Sequence, residues 1–493
     1  MDDVGIGDVS SYNAESKVPT PNIDAVAARG VSFDDAHSTS AVCTPSRYSL
    51  MTGRYPWRSP LPWSVHAGYE PPLIDSSLLT LPAMLQRAGY RTIAVGKWHL
   101  GMDWHRTDGT PITLDSPLPW DYPTEQFERE IDFAAPLTGG PVDRGFDHFF
   151  GCANNPTSMP PYAFIRDRAF VAAPTSYRTP CSPIDSPAGM IAPGYRFDDV
   201  DERFVDETLA LLDTCRDDTV PFFLYLAPSA AHEPCADEFV PEFARGRSDA
   251  GARGDLVWLA DWMVGRIDQW LAANDLSDDT LLVVTSDNGA LPGVRRLDEQ
   301  GALVLDERGE TTWETFGHRS SGNWRGFKSH VWEGGHREPL VARWPGVIPE
   351  GFRRPDLVSL ADIFATLADV VGAELAETDA IDSRSFLPAA LNRTSVPERE
   401  IDIQESSHGA LIVREGSWKC IFGTEGSGGG SPFPPPRDAV PSTRSSRGQL
   451  YDLRRDPTER ENLWDREGDV VDRLRGILDG ELSRTTARRT DRS

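Results

Sequence analysis

Short runs in which nearly every position is apolar alternate along this chain with stretches whose apolar residues recur every three to four positions. Residues 221–227 (PFFLYLA) and 281–285 (LLVVT) are of the first kind, the pattern of strands covered on both faces. Residues 31–33 and 91–95 predict two more strands. Helical spacing marks residues 200–212 and 255–273. A cap at Thr20, a proline at 21 and a stop at Gly30 bracket a helix over 22–28, since proline suits a first turn and glycine an end. Residues 81–88, closed by Gly89, predict another helix, and 358–371 an amphipathic one. Strands alternating with helices imply an α/β fold, a mostly parallel sheet with helices on both sides.

Two stretches, 102–141 and 154–194, are rich in Pro, Asp and aromatic residues and read as long loops over one rim. After about residue 395 the pattern changes to short strand candidates, 410–414, 418–422 and 449–453, separated by a Gly/Ser/Pro tract over 424–447 and followed by a charged helix through 473–482. The tract has a flexible composition. The predicted division is a catalytic unit over 1–395 and a small C-terminal α+β unit over 396–493 with an antiparallel sheet.

A chain of 493 residues is long enough for two such units. Its formal charge of −27 argues against nucleic acid and anionic membrane as partners, because both demand a positive footprint. An anionic substrate would need Lys, Arg and His gathered locally. The six cysteines are sparse, with no CxxC pair, so neither a disulfide scaffold nor a compartment follows. No apolar run approaches the roughly 18 residues of a membrane span, and Met1-Asp2-Asp3 is neither basic nor apolar. As it stands the chain carries no export signal and reads as cytoplasmic; a lost upstream segment would reopen a secreted or periplasmic location.

Cys43 precedes Pro45 and the helix-compatible run 46–51, which puts it at a helix N-terminus, where free amides and the helix dipole favour negative charge. Arg47, one turn on, has the planar fork that grips oxyanions. Taken singly, a cysteine such as Cys43 is usually a small buried hydrophobe; a thiolate nucleophile with a histidine partner is the other chemically open reading. Lys97 and His99 fall just past the end of a predicted strand, where ligands gather in open α/β sheets. His232 follows PFFLYLA in the same way, and Lys328 precedes the Trp332-Glu333-Gly334-Gly335 turn. Asp287-Asn288-Gly289 follows LLVVT, and Asp2-Asp3 opens the chain. Their oxygens suit Ca2+ or Mg2+, although Asp-Asn-Gly is also an ordinary turn. These groups converge on one rim of the predicted sheet.

The run Cys43-Thr44-Pro45-Ser46-Arg47, with Leu50 and Thr52-Gly53-Arg54, resembles the signature of the type I (formylglycine-dependent) sulfatases, and GKWHLG at 96–101 resembles their second signature. The likeness extends to Asp2-Asp3, residues 20–24, Gly145-Phe146-Asp147, residues 286–289, 332–335 and 450–453, with an arylsulfatase A-like flavour. It implies an alkaline-phosphatase-like fold with a mixed, mostly parallel sheet. It also implies a divalent metal, Ca2+ with Mg2+ as the alternative, held by Asp2, Asp3, Asp287 and Asn288 together with the modified Cys43. Cys43 would be oxidised to formylglycine by a separate maturation enzyme that reads Cys-x-Pro-x-Arg. In the family's scheme one hydroxyl of the hydrated aldehyde attacks sulfur while metal and cations stabilise the oxygens. Arg47 would orient the hydrate, Lys97 and Lys328 would bind sulfate, His232 would assist the leaving alcohol, and His99 would take the second hydroxyl proton to expel sulfate.

The implied substrate is a sulfated small molecule or glycan, an aryl or carbohydrate sulfate. Asn155 is the counterpart of a polar residue the family carries shortly after Gly-Phe-Asp. One departure stands out: every other site cluster follows a strand, whereas only Met1 precedes Asp2-Asp3, so the supporting strand is expected to be missing from the chain as given. A phosphonate monoester or phosphodiester hydrolase of the same superfamily, a degenerate binding protein on this fold and a cysteine hydrolase are the alternatives.

Overall fold

A computed structural model of the chain describes residues 1–61, 64–113, 124–180, 186–216, 219–291, 316–393, 399–407, 409–422 and 448–484. The Gly/Ser/Pro tract at 424–447, the division at 395/396 and parts of both predicted rim loops lie outside these residues.

In chain order the described strands are β1 (Val31–His37), β2 (Arg91–Lys97), β3 (His148–Cys152), β4 (Ile165–Arg166), β5 (Ala169–Phe170), β6 (Ser176–Arg178), β7 (Gly189–Ile191), β8 (Phe222–Ala227), β9 (Leu282–Thr285), β10 (Leu340–Arg343), β11 (Phe352–Ser359), β12 (Ile401–Glu405), β13 (Leu411–Glu415), β14 (Trp418–Phe422) and β15 (Gly448–Asp452). The helices are α1 (Pro21–Ala28), α2 (Cys43–Thr52), α3 (Leu81–Arg87), α4 (Glu125–Arg129), α5 (Val200–Asp213), α6 (Gly251–Ala273), α7 (Glu333–His336), α8 (Asp362–Val371), α9 (Leu387–Ala390) and α10 (Gly468–Ser483). Residues 358 and 359, predicted as the start of a helix, instead end β11, and α8 begins at Asp362. Asp362 accepts the Ser359 amide at 2.9 Å, which ties the end of β11 to the first residue of α8.

The α/β body holds two mixed sheets. One has the order β11-β1-β10-β9, with β1 parallel to β11 and antiparallel to β10; the other has the order β5-β4-β3-β2-β8, with β2 parallel to both β3 and β8. Apolar side chains leave both faces. Around the first sheet, Ile23, Val26, Val257 and Val341 pack on the side of α1 and α6, while Phe33, Met84, Leu85 and Phe364 pack on the side of α3 and α8. Around the second, Met51, Trp98 and Phe149 face α2, and Ile93, Val95, Phe150 and Phe204 face α5.

The helix after Thr20 forms, but Thr20 does not cap it with its side chain. Asp261 of α6 accepts the Asn22 and Ile23 amides at 3.0 and 2.8 Å instead, so a tertiary carboxylate satisfies the free N–H groups of α1. Strands β8 and β9, predicted as covered on both faces, are mostly half-buried. Each is the edge of its sheet, and residues 1–3 lie between their C-terminal ends. The Met1 amine donates to Thr285 O at 2.6 Å, Asp2 N to Ala230 O at 3.2 Å, and Ala231 N to Asp2 O at 2.7 Å. Asp2-Asp3 thus follows no strand and is held by backbone pairing to the segments after β8 and β9.

The C-terminal sheet β12-β13-β14-β15 is antiparallel throughout. Its period-two alternation is clean: Val413, Cys420 and Leu450 face Leu474 and Leu478 of α10, while Ile412, Ile421 and Tyr451 face Val331 and Trp332. Backbone bonds Glu405 N to Thr39 O (2.9 Å) and Ala41 N to Glu405 O (3.0 Å) tie its edge to the segment leading into Cys43. Among the described residues no helix is long and apolar enough to cross a membrane.

Candidate active site

Cys43 is the first residue of α2, after an extended Val42 that offers no side-chain cap; the first-turn amides are left for another acceptor. One turn on, Arg47 points back towards the same space. Its Nε and Nη2 donate to Asp287 Oδ2 at 3.0 and 2.7 Å, and its Nη1 donates to Lys97 O at 3.3 Å and Tyr225 Oη at 3.1 Å. The Cys43 Sγ lies 3.7 Å from Asp2 Oδ1.

Lys97 ends β2 and places Nζ 2.7 Å from Asp2 Oδ2. The preceding Gly96, at φ 114°, passes so close to β8 that a Cβ there would lie 1.9 Å from Ala227 O. His99 adopts φ 61°, a conformation costly for a side-chain-bearing residue and concentrated at functional sites. Its Nε2 lies 3.0 Å from His66 O. A carbonyl only accepts, so Nε2 carries the proton and Nδ1, buried without a partner, presents its lone pair.

His232 follows β8. Its Nδ1 lies 2.9 Å from Glu233 O and so carries the proton; its Nε2 receives Lys328 Nζ at 2.9 Å. The same ammonium lies 2.8 Å from Asp3 Oδ2. Asn288 donates from Nδ2 to Asp3 Oδ1 at 2.7 Å, leaving its Oδ1 buried with no partner. Asp287-Asn288-Gly289 packs directly on the Trp332 turn, where a Cβ on Gly289 would lie 2.0 Å from Gly334 O. Asn155 Nδ2 reaches Asp2 Oδ2 at 3.5 Å.

Three carboxylates (Asp2, Asp3, Asp287) thus meet three cations (Arg47, Lys97, Lys328), all buried. Burial alone would raise Asp2, but Lys97, His232 and Arg47 outweigh it and hold it low. Asp3 is raised by burial and by Asp2 and Asp287 beside it, against the pull of Lys328. Burial and then Lys97 hold His99 well below the usual histidine range; burial and then Lys328 push His232 down to about 3. Burial, with Asp287 next, pushes the Cys43 thiol up, so the depressed pKa that a helix N-terminus alone would give a thiolate nucleophile is absent.

The donor set fits a hard divalent cation. Asp2, Asp3, Cys43 and His232 each offer a ligand atom, all within 4.8 Å of one another, and the orphaned Asn288 Oδ1 lies next to Asp3. Crowded carboxylates, one of them raised by its neighbours, are what a cation relieves. With a divalent ion among them, the balance of three acids against three bases becomes positive, as an anionic substrate requires in a chain of charge −27. Asp35, His37 and Glu333 also cluster, but Arg337, Arg414 and Lys419 already neutralise them.

All six sequence-predicted catalytic residues, Cys43, Arg47, Lys97, His99, His232 and Lys328, converge here. Of the predicted metal ligands, Asp2, Asp3 and Cys43 form the core, while Asp287 turns its Oδ2 to Arg47 and Asn288 meets Asp3. Sequence reading missed Tyr225, His66 and Ser158, whose Oγ lies 3.5 Å from His232 Nδ1. Tyr225 was visible as the single polar tip within FFLYLA; the other two carried no local signal, since only tertiary folding brings them in.

Comparison with known proteins places this chain among the sulfuric ester hydrolases. The chain belongs to the sulfatase family, whose profile matches residues 1–373. It is similar to N-acetylgalactosamine-6-O-sulfatase of Bacteroides thetaiotaomicron, 30% identical over 98% of this chain and 92% of that protein. It is likewise similar to arylsulfatase A of Bos taurus, 30% identical over 95% of this chain and 83% of that one. A solved 6S-sulf structure from a study of glycosaminoglycan metabolism by Bacteroides thetaiotaomicron superposes with a TM-score of 0.79 at 29% identity, covering 98% of each chain.

Proposed function

We propose that this sulfatase hydrolyses a sulfate monoester on a sugar alcohol, using Cys43 converted to formylglycine and a bound Ca2+. The observation that carries the reading is the convergence of Cys43, Arg47, Lys97, His99, His232 and Lys328 about the Asp2-Asp3 carboxylates. The carbohydrate substrate is supported by the near-complete overlap with the N-acetylgalactosamine-6-O-sulfatase. It is also supported by the His232–Lys328 pair, in which the Lys328 ammonium carries the proton and His232 Nε2 accepts it, because a sugar hydroxyl is a far poorer leaving group than a phenol and gains most from a proton donor.

The formylglycine hydrate would supply the hydroxyl nucleophile, and a bound metal would supply Lewis-acid charge at the sulfate oxygens. Asp2, Asp3, Asp287 and Asn288, with the modified Cys43, would hold the metal in this reading. Arg47, fixed by Asp287 and Tyr225, orients residue 43. Lys97 and Lys328 neutralise sulfate oxygens. His99 directs its unpartnered Nδ1 lone pair as the base, its tautomer set by the His66 carbonyl. His232, with Lys328 on its Nε2, serves the leaving oxygen. Residues 43–49 are all buried, so the maturation enzyme that reads Cys-x-Pro-x-Arg acts on this segment before the chain closes over it.

The test is peptide mass spectrometry across residues 42–47 in protein made together with a maturation enzyme, paired with sulfate release from a sugar 6-sulfate and turnover of aryl sulfate and aryl phosphate. Conversion of residue 43 with sugar desulfation is the expected result. An intact thiol under those conditions sinks the mechanism, and a preference for the phosphate ester replaces the sulfatase assignment with a phosphoester hydrolase.

A further inference from the structure

The segment that carries His232 also holds Asp2, and one buried carboxylate sits beneath it. Asp201, in the first turn of α5, accepts the Ser229 amide at 2.8 Å. Its residue is 6% exposed, and it touches neither the metal-ligand carboxylates nor the six convergent side chains. Above it, Ala230 O receives Asp2 N, Ala231 N donates to Asp2 O, and His232 N closes a turn on Ser229 O at 2.9 Å. The 229–232 turn is therefore anchored from below by Asp201 and grips the Asp2 backbone on one side. On the other it delivers His232 to Lys328. Alpha-helix α5 itself is rigidly seated, with Val200, Phe204 and Val205 in the core against Ile93, Val95 and Phe150.

We propose that Asp201 is a positioning residue that, by fixing the Ser229 amide at the start of the turn, keeps the metal ligand Asp2 and the leaving-group histidine His232 in register. The inference rests on the role given to His232 above. The Ser229 amide bond holds the turn more firmly than packing alone, because a buried amide left without its acceptor costs about 1–3 kcal/mol. Outer groups that orient metal ligands typically carry about a 10- to 100-fold effect on affinity or activity. Loss of Asp201 lets the turn relax, which shows in two places at once: calcium is held less tightly, and proton delivery to a poor leaving group suffers while a good one is spared.

The experiment compares the matured, calcium-loaded enzyme with Asp201→Ala, Asp201→Asn and His232→Ala on 4-nitrophenyl sulfate and on a sugar 6-sulfate, with calcium titrated in each. For Asp201→Ala the expected result is about a 10- to 100-fold fall in kcat on the sugar sulfate. The fall on the aryl sulfate is several-fold smaller, and the calcium Kd, read by calorimetric titration of the metal-free protein, is raised. Asp201→Asn, whose amide oxygen still accepts Ser229 N–H, recovers most of both, which also separates positioning from failure to fold. Equal losses on the two substrates with an unchanged calcium requirement overturn the proposal, as does an Asp201→Asn variant no better than Asp201→Ala. If His232→Ala itself fails to discriminate between the substrates, the role of His232 falls and the leaving-group half of this inference falls with it. If His232→Ala discriminates and Asp201→Ala does not, only the inference falls.

Discussion

Arg47 clasps a single oxygen of Asp287, placing Nε at 3.0 Å and Nη2 at 2.7 Å from Oδ2. The guanidinium is thereby locked with its third nitrogen on Tyr225 and the Lys97 carbonyl, one helical turn from Cys43. Lysine keeps the charge but offers one ammonium where three nitrogens are engaged. Arg47→Lys is expected to lose about 1.5–3 kcal/mol of charged hydrogen bonding, roughly a 10- to 100-fold fall in kcat/KM. Because Arg47 belongs to the maturation core as well, formylglycine content is measured by mass spectrometry on the same sample. A fall that tracks only the unconverted fraction would refute the positioning role.

Asp2 and Asp3 are each paired with a lysine, Lys97 at 2.7 Å and Lys328 at 2.8 Å. These ammonium groups neutralise both carboxylates. Chelation is therefore expected to abolish activity without unfolding the protein, with Ca2+ restoring it. Calcium at about 100 times its Kd should stabilise the fold by roughly 2.7 kcal/mol, seen as a rise in Tm. Asn288→Ala, which removes the unpartnered Oδ1, should weaken the calcium response; an unchanged titration would remove Asn288 from the ligand set.

The predicted helices and strands appear because each carries its own signal, in period, proline and glycine. The rim was legible for the same reason: Lys97, His232 and Asp287 all stand just after apolar runs. What was not legible depends on partners distant in sequence. Asp261 caps α1 from 238 residues away, which no local pattern encodes. Asp201 anchors the His232 turn from α5 and reads in sequence as one more acid on a helix. The half-exposure of β8 likewise follows from its edge position, and LYLA spells the same strand whether a neighbour is present or not. The thiol of Cys43 looked activated by the helix end; burial, a three-dimensional property, reverses that direction.

Glu128, in α4 within the stretch first read as a loop, gives a pH dependence away from the site. Burial raises its carboxyl from 4.5 to about 7, against the stabilising bonds from Tyr69 Oη and Met190 N. The folded state therefore keeps a proton that the unfolded chain releases between these values. This contribution to stability is complete below about pH 4.5 and lost as pH rises to about 7, an effect of about 3 kcal/mol at most. Glu128→Gln keeps an acceptor and removes the titration. Its Tm should exceed that of the parent at pH 8 and lose less between pH 5 and pH 8. Parallel Tm profiles would contradict the assignment.

Lys419 of β14 joins the C-terminal sheet to the loop that carries Lys328. Its Nζ lies 3.0 Å from Glu333 Oε1 and 3.0 Å from Glu459 Oε1, with all three side chains fully buried. Glu333 opens α7, its amide donates to Glu459 Oε2 at 2.7 Å, and Gly334 N donates to Arg325 O at 2.7 Å. Lys328 N in turn bonds Ala290 O at 2.9 Å, beside the Asp287-Asn288-Gly289 turn. Replacing the lysine by methionine keeps the length and removes the charge, leaving Glu459 without its cation and Glu333 dependent on Arg337, Arg414 and His37. Breaking a buried pair on one side costs about 3–5 kcal/mol, so Lys419→Met should shift urea unfolding by that amount. Glu459→Gln in the same chain should recover part of it by removing the stranded carboxylate. Since the strain falls on the 325–336 segment, the surviving folded enzyme should also show a raised KM for sulfate esters with kcat less affected. A stability loss with unchanged KM would confine Lys419 to holding the C-terminal sheet in place.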